Sequence, residues 1–517
     1  MKKTAAILLT MITIISLASI PASAQYFTDV NIGHWARESI NYATDNGYID
    51  SASTYTFNPD GNFTRADVAK MIYRLENSPN IAVTSQFTDV SASASYAKAV
   101  SWMVANGIMN GTSSTTFAPN AGIKRQDLAL VFFRYGGYLE DKENAYIKYN
   151  VMSKRADISG FTDASTVNAY AREAVKWAVA TNIITGEVGG VIEPKKVVVR
   201  ETGAEFLKRF GIFVEGINFS RDIYGFTNND FEYDNYYITN QHKSILYNYL
   251  ENTGELDDEY DNDGLTVRDR IDAKINTPYG GSCFGVALTT LLNKVGKLDY
   301  TRHFGGTSAD YLSDIVTLSG NAALESAINY YQFSLFATGV RNDRIASRCW
   351  KQNSSSAWKD WIEDLPGIID ENGLILLSFG FATGTSTSIS AWHAVIIYDY
   401  KINTNGYTFY IYDPNFLSRN EITATNVIES GVNTISLQYG SQTILACDYL
   451  CDFSNIYHRY NRYDLDSYYN DFNAGASSTL NMVSQEYVVE LFDEDTNQTR
   501  NGLDINEPVP YYDTIPR

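Results

Sequence analysis

The front of this chain repeats itself three times. Phe27-Thr28-Asp29-Val30 recurs as Phe87-Thr88-Asp89-Val90, and again as Phe161-Thr162-Asp163-Ala164. A recurring unit constrains architecture more tightly than composition does, because one short repeat cannot bury its apolar face alone and must stack on its neighbours. Each copy runs on into a helix-like segment carrying an aromatic residue and alanines. These are Trp35, Ala36, Ile40 and Ala43; Tyr96, Ala99, Trp102 and Ala105; and Tyr170, Ala174, Trp177 and Ala178. The helices stop at or near Gly47, Gly107 and Asn182, small turn residues that end a helix without steric penalty. Phe57-Asn58-Pro59, Phe117-Ala118-Pro119 and Ile192-Glu193-Pro194 then precede a second helix. That helix opens with Thr64-Arg65-Ala66-Asp67, Lys124-Arg125-Gln126-Asp127 or Val199-Arg200-Glu201-Thr202, where an Asp near the helix start fits N-capping.

This pattern resembles three S-layer homology modules. The resemblance implies helix-pair units assembled three to a bundle, and anchoring to an anionic, often pyruvylated, cell-wall polysaccharide. It places Arg65, Arg125 and Arg200 at the position that contacts the acidic ligand. A guanidinium suits a carboxylate because it donates two parallel hydrogen bonds. Trp35, Trp102 and Trp177 are read either as groove-lining residues or as core aromatics of the helix pairs. The second and third openings depart from the family's Thr-Arg-Ala-Glu pattern, so unequal grooves are expected.

Lys2 and Lys3 precede an apolar run from Ala5 to about Ile20, and Pro21-Ala22-Ser23-Ala24 supplies a small-residue cleavage site. This reads as a secretory signal peptide cut after Ala24, giving an exported protein with no membrane span after cleavage. The formal charge is −20, which argues against nucleic acid as a partner. The 517 residues exceed one core. The expected division is a signal peptide at 1–24, modules at 25–80, 81–145 and 146–216, a linker and lead-in at 217–269, a catalytic domain at 270–453, and a Tyr/Asn-rich segment at 454–517 that either completes that domain or is appended to it.

The second informative stretch is Gly280-Gly281-Ser282-Cys283-Phe284-Gly285. Val286, Ala287, Leu288, Leu291, Leu292 and Val295 follow at helical spacing, so the cysteine opens a helix with a buried face. A thiol at a helix N-terminus feels the positive end of the backbone dipole, which favours the nucleophilic thiolate. Downstream, Ala391 to Tyr400 and Tyr407 to Tyr412 flank Asn403-Thr404-Asn405-Gly406, a β-hairpin signal. His393 starts the first strand and Asp413 ends the second, so antiparallel pairing brings them together. His393 then serves as base for Cys283, with Asp413 steadying the imidazole.

These residues resemble papain-like cysteine peptidases, in particular the compact bacterial group that includes bacteriocin-leader peptidases. The resemblance implies Cys283 as nucleophile, His393 as base, Asp413 as orienting residue, and a peptide or protein substrate. Family members carry a Gln six positions before the cysteine as an oxyanion donor; here that position is Thr277, and the neighbouring Asn276 is the candidate donor. The expected fold is multidomain: all-α helix-pair repeats in a three-module bundle, plus an α+β papain-like domain with helices first and sheet later. The run Leu374 to Phe379 reads as a buried strand. Two rival functions are a transglutaminase-like acyl transferase using the same trio, and a wall-anchored adhesion or scaffold protein with an inactive peptidase-like domain.

No cofactor or metal site is expected. The acidic run at 261–264 resembles a calcium loop, but a twelfth ligand would fall on Arg270, which cannot bind calcium. Cys447, Cys451 and His458 are too few and too loosely spaced for zinc, and Cys349, Cys447 and Cys451 leave one disulfide open. His242, His303 and His458 are weaker base candidates than His393 because none lies in a hairpin with an Asp.

Overall fold

A computed structural model describes residues 27–451, except 32–33, 85, 143–146, 253, 260–263, 299, 305–308, 310, 352–354, 384–385, 387 and 428–434; beyond 451 it describes only the strands at 491–493 and 498–500. The signal-like stretch, the acidic residues at 261–263, His458, the His303 side chain and most of 454–517 lie outside the described residues.

The repeats form α1 (Arg37–Asp45), α2 (Arg65–Leu75), α3 (Ala97–Ala105), α4 (Arg125–Glu140), α5 (Arg172–Ala180) and α6 (Arg200–Phe210). The recurring Asp has a structural job. Asp29 accepts hydrogen bonds from the backbone N–H groups of Phe57 (2.9 Å) and Asn58 (2.7 Å). Asp89 does the same for Phe117 (2.9 Å) and Ala118 (2.7 Å), and Asp163 for Ile192 and Glu193 (both 2.8 Å). Each carboxylate thereby pins a tight loop whose middle residue is left-handed, with φ of 62° at Asn58, 57° at Ala118 and 54° at Glu193. Non-glycine residues hold that conformation only where their surroundings enforce it. The Asp at the start of the second helix behaves less uniformly. Asp67 completes a capping box with Thr64, whereas Lys124 and Val199 make no side-chain cap at the starts of α4 and α6.

The modules close on one another through backbone as well as side chains. Phe63 N–H donates to Val198 O (2.9 Å), Val198 N–H to Ile123 O (2.8 Å), and Ile123 N–H to Phe63 O (2.9 Å). Each of the three lies two residues before its module's Arg, and all three are buried. The ring satisfies buried backbone groups that helix packing alone would leave unpaired.

The rest of the described chain holds α7 (Asn240–Asn252), α8 (Val267–Ile275), α9 (Cys283–Lys294), α10 (Tyr300–Phe304), α11 (Ala322–Ser334), α12 (Thr338–Ser347) and α13 (Ser355–Asn372). Its strands are β1 (Cys349–Trp350), β2 (Ile375–Ala382), β3 (Ala391–Asn403), β4 (Gly406–Tyr412), β5 (Arg419–Thr425), β6 (Ser436–Tyr439) and β7 (Gln442–Leu450), with a separate pair β8 (Leu491–Asp493) and β9 (Gln498–Arg500). Strands β7-β2-β3-β4-β5-β6 are antiparallel neighbours, and β6 pairs back onto β7 through Tyr439↔Gln442, which closes a six-stranded barrel. One set of side chains, including Leu377, Phe379, Val395, Ile411, Ile422 and Leu437, converges in a core that α13 joins through Trp358 and Ile362. Leu376, Ala394, Ile396 and Tyr412 pack instead with Val286, Leu288 and Leu291 of α9. Both alternating faces of β2 and β3 are therefore buried, which is why those strands are continuously apolar.

This architecture corrects the expected fold class. The barrel closes through β5, β6 and β7, whose half-polar sequences gave no strong strand signal. β1 precedes α13, so helices and strands are interleaved rather than sorted into a papain-like order. The repeat bundle is not purely helical either, since backbone bridges pair 62 with 199, 64 with 122, and 124 with 197.

The two regions are packed together. Residues 218–239, read from sequence as linker, carry buried Ile223, Tyr224, Phe226 and Tyr236. A charged cluster is sealed at the junction. Arg221 pairs with Glu215 (2.7 Å) and Asp222 (2.9 Å), and Lys294, the last residue of α9, pairs with Asp222 (2.7 Å). Lys148 Nζ donates to Gly373 O (2.6 Å), and Tyr149 N–H donates to Asp399 (2.7 Å), whose direction is set by a bulge in β3. Among the described residues no helix is long and apolar enough to cross a membrane.

Candidate active site

Cys283 is the first residue of α9 and borders an open groove of about 1000 Å³. The flanking glycines have distinct reasons. Gly281 has φ of 105°, a region that disfavours side chains. Gly285 faces α11 so closely that a Cβ there would lie 2.4 Å from Ile328 O. Its N–H donates to Gln332 Oε1 (2.9 Å), so α9 and α11 approach at nearly backbone distance.

His393 stands near the start of β3, buried, with its ring edge-on to Phe379 at 5.6 Å. Asp413 follows the last residue of β4 and is fully buried. The two pair at 2.8 Å between His393 Nε2 and Asp413 Oδ1. Asp413 also accepts from the N–H of Asn415 (2.8 Å) and from the Tyr439 hydroxyl. With Nε2 held by the carboxylate, the other ring nitrogen is left for Cys283, which lines the same groove as His393 and is electrostatically coupled to it.

The electrostatics follow from this placement. Burial alone would push the Cys283 thiol up; the hydrogen bond and charge of His393, with the N–H groups of Ala394 and Phe284, outweigh it and bring the thiol below its usual value. Burial likewise pulls His393 down, but Asp413 and Cys283 together raise it to about 10. Asp413 is lowered, burial being overcome by His393, Tyr439 and the Asn415 N–H. The arrangement shifts the pair toward a thiolate beside an imidazolium.

The other sequence candidates lie elsewhere. Asn276 is turned away from the groove, its Nδ2 donating to Asp272 O (2.8 Å) at the end of α8, and Thr277 Oγ1 donates to Lys274 O (2.8 Å). His242 is buried against Ser326, and burial drives its pKa down to about 3, so it stays neutral. Cys349 and Cys447 sit opposite each other on β1 and β7 as free thiols.

The three arginines join the modules in a cycle. Arg65 Nε donates to Phe117 O (2.7 Å), Arg125 Nε to Ile192 O (2.9 Å), and Arg200 Nε to Phe57 O (2.9 Å). Arg65 is half-buried, while Arg125 and Arg200 are buried. The tryptophans split into two kinds. Trp35 is 60% exposed, with its indole N–H on Glu201 of α6 (3.2 Å). Trp102 and Trp177 are buried, at the repeat position held by Tyr42 in the first module. Two residues before the helix start, the position of Trp35 is held by Ser95 in the second module and by Tyr170 in the third; Tyr170 is exposed and donates to Asp127 of α4 (2.6 Å). Matching by residue type merged these positions, and counting from the Phe-Thr-Asp motif would have separated them.

Sequence reading also missed Asn228, Tyr279, Asn415 and Tyr439 around the site. Asn415 had a signal, because it completes Asp413-Pro414-Asn415. Tyr439 and Asn228 had none, because they arrive from β6 and from the supposed linker.

Comparison with known proteins bears on the repeats. The S-layer homology domain model matches residues 26–69, 86–129 and 160–202. The chain is 30% identical over 204 residues to a surface-layer 125 kDa protein of Lysinibacillus sphaericus, covering 38% of this chain and 16% of that protein. It is 28% identical over 200 residues to an S-layer protein of Bacillus anthracis, covering 38% and 23%. It is 26% identical over 181 residues to an endoglucanase of a Bacillus strain, covering 35% and 18%. The chain thus spans less than a quarter of the length of each of these relatives. It carries three S-layer homology domains and is a secreted protein of the cell surface or wall.

Proposed function

We propose that this surface protein is a cysteine peptidase held on the wall by its three S-layer homology domains. The observation that carries the catalytic reading is that Cys283 and His393 line one open groove, with His393 paired to Asp413 at 2.8 Å. In the proposed reaction the Cys283 thiolate attacks a peptide carbonyl carbon and an S–C bond forms. His393 passes its proton to the leaving amine as the C–N bond breaks. Water, deprotonated by His393, then cleaves the thioester and the thiolate returns. Asp413 keeps the imidazole in the required orientation, and Tyr439 holds Asp413 from behind.

The groove supports an extended polymeric substrate rather than a small enclosed ligand. Trp392 and Phe416, both substantially exposed, offer apolar contact, while Arg419 and Glu421 on β5 offer opposite charges. The test is digestion of a mixed peptide library by the full chain, read by mass spectrometry. Cleavage that disappears in Cys283→Ala supports the proposal, and identical fragments from both proteins overturn it.

For the front region, we propose an anionic cell-wall polysaccharide as the partner. Exposed Trp35 and Tyr170, each beside the start of a second helix, support this, as does the partial exposure of Arg65. Co-sedimentation with purified wall fragments, before and after acid removal of the attached polysaccharide, tests it. Equal binding to stripped walls would refute that partner.

A further inference from the structure

A thiol attack on a carbonyl places negative charge on the carbonyl oxygen, and a site without donors aimed at that oxygen is slow. Neither Asn276 nor Thr277 fills this role, since both side chains are bonded back onto the end of α8. A different amide is placed to do so.

Asn228 arrives from the segment before α7 and is fixed beside the catalytic loops. Its backbone N–H donates to Pro414 O (2.8 Å), next to Asp413. Its side chain is buried but borders the groove together with Gly281 and Cys283. Its Oδ1 accepts from the Ser282 N–H (2.6 Å) and from the Tyr279 hydroxyl (3.0 Å). A backbone N–H is always a donor, so the oxygen end of the amide is unambiguous and the nitrogen end faces the other way. That nitrogen donates one proton to Asn415 Oδ1 (3.2 Å), and an NH₂ group has a second. It also lies 2.9 Å from where a Cβ on residue 281 would stand, so Gly281 leaves the room this amide occupies.

We propose that Asn228 Nδ2, together with the backbone N–H of Cys283 at the tip of α9, forms the oxyanion hole. This rests on Cys283 being the nucleophile. The donor is supplied by a distant part of the chain rather than by the loop preceding the cysteine, and the pair Asn228–Gly281 takes over a function the local sequence lacks.

The test compares two reagents on Cys283 of the full chain, followed by mass spectrometry. Iodoacetamide alkylates the thiolate by displacing iodide, with no charge building on a carbonyl oxygen. p-Nitrophenyl acetate transfers its acetyl group through a tetrahedral oxyanion, releasing p-nitrophenolate. Both need the same thiolate, so the ratio of acetylation to alkylation rates cancels any change in thiolate population. In Asn228→Ala that ratio should fall about 10²–10³-fold. Asn228→Asp keeps an oxygen under the Ser282 N–H but removes the donor, and the same fall is expected if the fold is retained. A wild-type ratio in Asn228→Asp, or a parallel loss of both reactions in the two variants, overturns the oxyanion role and leaves Cys283 as nucleophile. A wild-type Cys283 that reacts with neither reagent overturns the nucleophile itself, and the hole with it.

Discussion

The front bundle uses one arginine three times, whereas the barrel region uses each polar group once. Arg65, Arg125 and Arg200 make the same bond to the next module's loop. Cys283, His393, Asp413, Asn228 and Tyr439 come from five separate places and share no role. The difference teaches where damage is absorbed. A threefold device has two remaining copies after one is lost, while a single-copy site has none.

The largest expected effect falls on the single-copy side. If Cys283 and His393 act together, Cys283→Ala or His393→Ala should each lower peptide cleavage by about 10⁴-fold or more, and the double variant should lose little beyond that. Cleavage rates with thermal unfolding as a control decide it, and additive losses would break the pairing.

The junction comes next. Lys294→Met leaves the buried Asp222 carboxylate without its lysine while Arg221 remains, and we expect a loss of about 3–5 kcal/mol, as for breaking other buried pairs. Chemical denaturation measures this. A loss confined to the front bundle would show that the network does not tie the two regions.

Within the bundle the copies should be ranked by burial. Arg200→Ala strands the buried Phe57 carbonyl and should lower stability by about 2–3 kcal/mol. Arg65→Ala, whose site admits water, should lower it by about 1 kcal/mol. Equal losses would mean that burial does not distinguish the modules.

The smallest effects are in pH dependence. Because the Cys283 thiol is lowered, its alkylation profile should lie at lower pH than that of free cysteine, and Asp413→Asn should move the profile upward. At the junction, burial lowers Lys148 to about 7. The folded state then holds fewer protons than the unfolded state between that pH and the lysine's usual value. The contribution to stability is present above the usual value and declines as pH falls through about 7. Lys148→Met should flatten that slope in melting curves taken from pH 7 upward.

Legibility differed between the regions for a physical reason. Asp29, Asp89 and Asp163 each pin a loop about thirty residues ahead within their own module, so repetition exposed the pattern before any coordinates. The hairpin β3–β4 was legible as well, because two runs rich in β-branched and aromatic residues flank a short turn containing Asn-Gly, and their pairing brings His393 near Asp413. The donor was not: Asn276 was the nearest amide in sequence, yet it caps a helix, and Asn228 stands in its place.

From its own residues the chain determined the three helix pairs, the helix that Cys283 opens, and the strand ends carrying His393 and Asp413, since periodicity and turn chemistry act over a few residues. Only the tertiary structure decided that the strands close into a barrel, that buried Arg125 and Arg200 bond between modules, and that Tyr439 and Asn228 reach the site. Those outcomes depend on contacts between residues far apart in the chain, which local patterns do not encode.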